Sequence, residues 1–486
     1  MVTTTDGVSM KIVHSMLVTG DTTTLVRFLP AAVMRTFNMH PRMRALQVRS
    51  EDFAAEIQPF VTLDTVAKDL LRVRQFDETE VNGNSFAEWE KYAEGECNLG
   101  FDRYSQLPFY LTVWVDEKAE RARLLLFSDH FMSDGYSGMV VLNCILEQVA
   151  LLAKQSDTKQ PLEYPLRHSL YKMWLSKVTW AKPLVKLFIA LFGGLVYREI
   201  LKKFKPLLSA RADQQDFAAP PKTNSTNASF AQGDPECMRK ALARCKVENV
   251  TFAGALVSAT VLAFYHAAKT QSTFKQTQLF EITADLDYNM RSRVPHPVEE
   301  AQVGMYVAIA DLAWLATEGV DLQNTRFWAL AHRAKLEIDE RLRHTLTMAA
   351  PTFMMDRRLN AQLDPAFVKA VPILHSQTSD ANISSVGRYP FKKEHSFVPE
   401  GQETAEEHKG RGLAVTSLHV YNSIPHLGPS AAIFVSSVDA FCYAMADKCE
   451  STAARALFAA LVKITENCGS IDKNETLQEV LTRLEL

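Results

Sequence analysis

The sequence predicts an α/β or α+β protein of two lobes, each a sheet flanked by helices. Three observations carry this. At 486 residues the chain is longer than one simple core supports, since cores stop growing at roughly 250–300 residues. Segments with the two-residue period of strands alternate with segments of helical spacing in both halves. Between the halves lies 209–235, rich in Ala, Asp, Gln, Pro, Asn and Ser and without periodicity, which reads as a crossing linker. The expected boundaries are 1–208 for the N-terminal lobe, 209–235 for the crossover and 236–486 for the C-terminal lobe.

In chain order, 10–18 alternates like a strand, and Asp21 precedes 22–37, where Leu25, Phe28, Leu29 and Ala32 recur at helical spacing. Residues 108–115 and 121–127 read as a strand pair joined by the polar turn 116–120. Past the linker, 251–268 is an apolar helix of small residues, 280–285 and 305–309 look like strands, and 324–346 is an amphipathic helix. Strands are expected at 381–386, 413–421 and 431–438, with 392–411 an exposed charged loop. Helices at 451–466 and 475–484 close the chain, and no internal repeat is visible.

A formal net charge of −3 gives no electrostatic reason to expect nucleic acid. Seven cysteines without a C-x-x-C pair are expected as free, mostly buried thiols in a reducing compartment, with no zinc or other metal site. Residues 1–11 are polar and lack an apolar signal core, so a cytoplasmic protein is expected. The sequon Asn224-Ser225-Thr226 is then a chance loop sequence.

Residues 166–205 combine Trp174, Trp180 and the apolar run 187–192 with Lys202, Lys203 and Lys205. Lys182, Pro183 and Lys186 interrupt the ~20 apolar residues that a span requires, and Gly193-Gly194 weakens helicity. A helix packing between lobes, an interfacial helix peripheral to a membrane and a true span all remain open here.

The stretch with chemical potential is His130-Phe131-Met132-Ser133-Asp134-Gly135, set between the apolar strand and a helix over 139–146. A neutral imidazole takes a proton from an alcohol and returns it to a leaving group, which suits acyl transfer. Gly135 lets backbone approach closely. Asp134 could orient the turn or pair with a distant arginine. Equally, it could N-cap the helix while His130 is a core histidine; the six residues alone leave this open. None of the other histidines has a comparable setting. Gly135-Tyr136-Ser137-Gly138 fails as a nucleophile elbow because Met139 stands where the second glycine belongs, so Ser137 reads as structural. No Walker loop, G-x-G-x-x-G or H-E-x-x-H occurs.

The H-x-x-x-D-G pattern after an apolar strand resembles the active-site motif of the chloramphenicol-acetyltransferase-like superfamily. That group includes condensation domains, alcohol acetyltransferases, plant BAHD enzymes, wax-ester synthases and mycobacterial polyketide-associated acyltransferases. The likeness spans nearly the whole chain. His40-Pro41-Arg42-Met43-Arg44, Phe101-Asp102 with Leu107-Pro108, the region from Asp287 through Arg291 and Arg293 to Gly304, and Ile383-Ser384-Ser385-Val386-Gly387 follow the family's order. Two departures stand out: Asp129 occupies the place of a frequent tandem histidine, and the plant D-F-G-W-G box is absent.

The resemblance implies two similar lobes of mixed sheet with an active-site tunnel between them. It implies His130 as general base, a backbone N–H near Gly135 for the oxyanion, and Asp134 as a structural residue paired with Arg291 or, second, Arg293. Ser384 and Ser385 are weaker substrate-binding candidates, since Ser385 stands where asparagine is common. No permanently bound cofactor is implied; acyl-CoA is the expected co-substrate, as no carrier or adenylation domain lies within the chain. The acceptor would be a small or lipid alcohol, the enzyme a monomer, and 166–205 a place for membrane or lipid-droplet contact. Alternatives are a stand-alone condensation-type enzyme with a carrier-bound donor and an inactive lipid-binding or scaffold relative.

Overall fold

The computed structural model describes residues 9–48, 54–76, 85–154, 162–168, 170, 173, 187, 191, 204–214, 224–275, 277–294, 298–344, 377–398, 411–425 and 428–486. Its strands are β1 (Lys11–Gly20), β2 (Ala45–Gln47), β3 (Ala55–Ile57), β4 (Leu71–Gln75), β5 (Phe109–Asp116), β6 (Arg121–Asp129) and β7 (Asn227–Gln232). There follow β8 (Ala284–Asn289), β9 (Val307–Asp311), β10 (Gln377–Arg388), β11 (Glu394–Ser396), β12 (Gly412–Asn422), β13 (Gly428–Ser437) and β14 (Phe441–Asp447). Two six-stranded sheets result, in the orders β11-β12-β1-β6-β5-β4 and β7-β14-β13-β10-β8-β9, flanked by helices. The expected α/β class with two sheets is the observed one.

β6 shows why its sequence is a continuous apolar run. Leu124 and Leu126 enter the core against helices Thr22–Met39 and Gly135–Ala153, while Leu125 and Phe127 alternate into a second cluster with Tyr110, Tyr421 and Phe434. A strand covered on both faces has no polar side to show. Each such side chain contributes about 1.5–3 kcal/mol when fully buried. Asp21 caps its helix as expected, accepting from the Thr24 N–H at 2.9 Å.

Four expectations are corrected. Residues 227–232, placed in the linker, form β7, which pairs with β14; Asn-Ala-Ser-Phe-Ala-Gln has no strand pattern and owes its conformation to the ladder with Cys442–Asp447. β11 and β12, assigned by position to the second lobe, hydrogen-bond into the first sheet, β12 against β1. Within the expected 392–411 loop, 394–396 is thus a short edge strand. The strand expected from Phe280 begins only at Ala284, Phe280 making an isolated bridge to Val320.

Most of 166–205 lies outside the described residues; of those described, Leu170 and Met173 are buried and Leu187 and Leu191 exposed. Two described helices, Gly135–Ala153 and Phe252–Lys269, are long and apolar enough to cross a membrane, but 67% and 78% of them are buried inside the fold. Core packing accounts for their composition. The seven cysteines are unbridged, and all but Cys237 are buried.

Candidate active site

β6 ends at Asp129, and the next N–H, of His130, donates at 2.9 Å to the O of Met10, the residue before β1. The helix begins at Gly135, so only 130–134 separate strand from helix. Within that turn His130 Nδ1 lies 2.9 Å from Ser133 O. A carbonyl oxygen only accepts, so Nδ1 carries the hydrogen and Nε2 keeps its lone pair. The imidazole is half-buried. It therefore has a fixed tautomer, and among the described residues no hydrogen bond engages its second nitrogen.

Asp134 is a helix cap and an ion-pair partner at once. Its Oδ1 accepts from the Ser137 N–H at 2.8 Å, and Arg291 reaches both oxygens at 2.9 Å, Nη1 to Oδ2 and Nη2 to Oδ1. The Tyr306 N–H adds a fourth bond to Oδ2 at 2.8 Å. The Arg291 guanidinium lies 4.7 Å from the Tyr136 ring centre and 5.0 Å from that of Tyr306. Burial alone would raise the Asp134 carboxyl; Arg291 and the two N–H groups outweigh it and hold the group below the usual carboxylate range. Both readings of Asp134 that the motif left open coexist, and the pair joins the two sheets' loops. Arg293 is exposed; the arginine that reaches Asp134 is Arg291.

Ser137 is bound into the same junction. Its hydroxyl donates to Gly304 O at 2.8 Å and accepts from the Gly304 N–H at 2.9 Å and from Arg291 Nη2 at 2.8 Å. With every position of the hydroxyl occupied, it is unsuited to nucleophilic attack. Asp129, where the resemblance led one to look for a second histidine, pairs with Arg103 at 2.9 Å and accepts from the Phe131 N–H at 3.0 Å. It braces the base of the histidine turn.

Three participants escaped the sequence reading. His14 of β1, judged to have no special setting, donates from Nε2 to Gly135 O at 2.9 Å, and its ring fills the space a side chain at Gly138 would need. Burial drives its pKa down to about 4, so it is neutral. The other two are Asp287 and Asn382: Asn382 Nδ2 donates to Asp287 Oδ1 at 3.1 Å, with Ser384 beside the same carboxylate. Ser385, the next residue along β10, alternates to the other face. The available signal was the period of two in β8 and β10, which sets Asp287, Asn382 and Ser384 opposite core residues. Among the described residues, no group of three or more His, Cys, Asp or Glu side chains is arranged to hold a metal ion.

Gly135 heads its helix, where the first N–H groups have no intrahelical acceptor and favour negative charge. The arrangement thus offers a base, an N–H-rich helix start and a rigid turn between them.

The family model for alcohol acetyltransferase matches residues 98–399. No curated protein matches this chain. Among solved structures, trichothecene 15-O-acetyltransferase TRI3 from Fusarium sporotrichioides is similar over 95% of this chain and 91% of its own, with 12% identity and a TM-score of 0.61. The first condensation domain of the CDA synthetase covers 98% and 94%, with 10% identity and a TM-score of 0.60. Polyketide synthase associated protein 5 from Mycobacterium tuberculosis covers 94% of each chain, with 12% identity and a TM-score of 0.58. At such identities the likeness is one of fold, and it agrees with the class predicted from the sequence.

Proposed function

The chain belongs to the alcohol acetyltransferase family, and on that premise we propose that it transfers an acyl group from an acyl-CoA thioester to an alcohol, with His130 as general base. The observation that carries this is the His130 Nδ1–Ser133 O hydrogen bond of 2.9 Å, which leaves Nε2 as the proton acceptor. Nε2 removes the hydroxyl proton as the alcohol oxygen attacks the thioester carbonyl. The carbon–sulfur bond breaks, the proton passes from Nε2 to the departing thiolate, and ester and free thiol leave. No acyl-enzyme forms. The N–H of Gly135 would meet the oxyanion, in a tunnel between the lobes that admits donor and acceptor from opposite sides. Asp134 and Arg291 act on the geometry of the turn and touch no reacting atom.

The test is thiol release from purified protein with a series of acyl-CoA chain lengths and an alcohol panel. Wild type is expected to release thiol and form ester, and His130→Ala to lose at least ~100-fold, the lower end of what a positioned base supplies. Full turnover by His130→Ala overturns the base assignment. Turnover only from a carrier-bound acyl group would keep the chemistry and replace the donor. Leu187 and Leu191, exposed and four residues apart, support a lipophilic surface within 166–205. Detergent-free fractionation that leaves the protein wholly in the supernatant would count against membrane contact.

A further inference from the structure

β8 places Asp285, Asp287 and Asn289 on one face, because Ala284, Leu286 and Tyr288 alternate with them into the second lobe's core. In the parallel partner β10, Ala381 and Ile383 enter that same core, leaving Asn382 and Ser384 on the matching face. Asn289 shows where this face points: its Oδ1 accepts from Arg291 Nη1 at 3.4 Å, and that guanidinium holds Asp134. The face is turned toward the start of the motif helix, and Asp287 lies within electrostatic reach of His130.

Among the described residues the Asp287 carboxylate is held from its own sheet, by Asn382 at 3.1 Å. Among the described residues no Lys or Arg forms an ion pair with it. A carboxylate offers about four lone-pair positions, so one donor leaves acceptor capacity unused. Burial pushes this carboxyl up, against the lowering effect of Asn382, Ser384 and His130. Keeping a half-buried carboxylate short of donors is unfavourable, and an Asn or Ser would satisfy the strand equally well. A ligand bringing a donor removes the deficit.

Resting on the acyl-transfer reading above, we infer that Asp287 is a specificity-determining residue that accepts a hydrogen bond from a second donor group on the acceptor. The acceptor class is then a diol, polyol or amino alcohol in preference to a monoalcohol. Asn382 orients the carboxylate for that contact.

The experiment compares hexanol, hexane-1,2-diol and 2-aminohexanol as acceptors with acetyl-CoA, and measures binding of the three by saturation-transfer NMR without donor. Wild type should favour the diol or amino alcohol over hexanol in both measurements, by about tenfold or more, as expected for a hydrogen bond to a charged group. Asp287→Asn should shrink that ratio about tenfold, with the loss in KM for the bifunctional acceptors. Asn382→Ala, which removes the donor that orients the carboxylate, should move the ratio the same way and serves if Asp287→Asn does not fold. Equal use, or equal failure, of all three acceptors by wild type in both assays overturns the inference. So does an Asp287→Asn loss common to all three that leaves the ratio intact, since a role through His130 would act that way. His130→Ala run alongside reads the base assignment separately, because selective binding without turnover would survive its failure.

Discussion

Replacing Asp134 by Ala removes the acceptor for four donated hydrogen bonds: two from Arg291 at 2.9 Å and one each from the Ser137 and Tyr306 N–H groups at 2.8 Å. Arg291, only 6% exposed at its side chain, is left as a buried cation facing N–H donors. Removing one partner of such a pair costs about 3–5 kcal/mol. For a lobe of this size that corresponds to a fall in Tm of about 10 °C, at ~2–4 °C per kcal/mol. Arg291→Met alone should cost about as much, by leaving the carboxylate unpaired. The double variant is expected to cost less than the two single ones added together, by a coupling of about 2–3 kcal/mol. Differential scanning calorimetry with thiol release as a parallel readout measures both consequences. Because the Asp134 carboxyl lies below its ordinary value, its stabilisation is whole above an unfolded pKa of about 3.9 and is lost only as pH falls through the lower folded value. The penalty should therefore be the same at pH 7 and pH 5. Additive single effects, or an Asp134→Ala loss within about 1 kcal/mol of zero, would refute the pin. Abolished turnover at an unchanged Tm would instead make Asp134 a direct participant in the chemistry.

Gly138→Ala would place its methyl 2.1 Å from the His14 ring. A cost of about 1–3 kcal/mol follows, with partial recovery when His14→Ala is added; an unchanged melting curve for Gly138→Ala would contradict the packing. His14, His40, His395 and His419 are each driven to a pKa of about 4 by burial. Their contribution is fully present above the unfolded value of about 6.5 and is lost as pH falls toward the folded one. Stability should decline from pH 7 to pH 5, and His419→Gln, which retains a donor for Ala231 O, should narrow that gap in Tm. A gap as wide as that of wild type would show that His419 does not titrate with unfolding.

The sequence determined more of the fold than of the site. Elements buried on one stripe or on both faces were legible because burial forces a pattern: β6 as an apolar run, Thr22–Met39 at helical spacing behind its Asp21 cap. β7 was not legible, because an edge strand of small and polar residues is held by ladder hydrogen bonds that any sequence can make. Nor was the membership of β11 and β12 in the first sheet, since pairing across some 400 residues leaves no local trace.

The same division runs through the site. His130, Asp134 and Gly135 stand within six residues, and their strand–turn–helix setting could be read directly. Tertiary structure alone chose Arg291 over Arg293, made Asp129 the partner of Arg103, and brought His14, Asp287 and Asn382 to the motif from separate strands. Local physics fixes which residues can act as base, cap or acceptor. Which of them meet is decided by the packing of two sheets, and only there does the Asp134 carboxylate beside the histidine come to face Arg291.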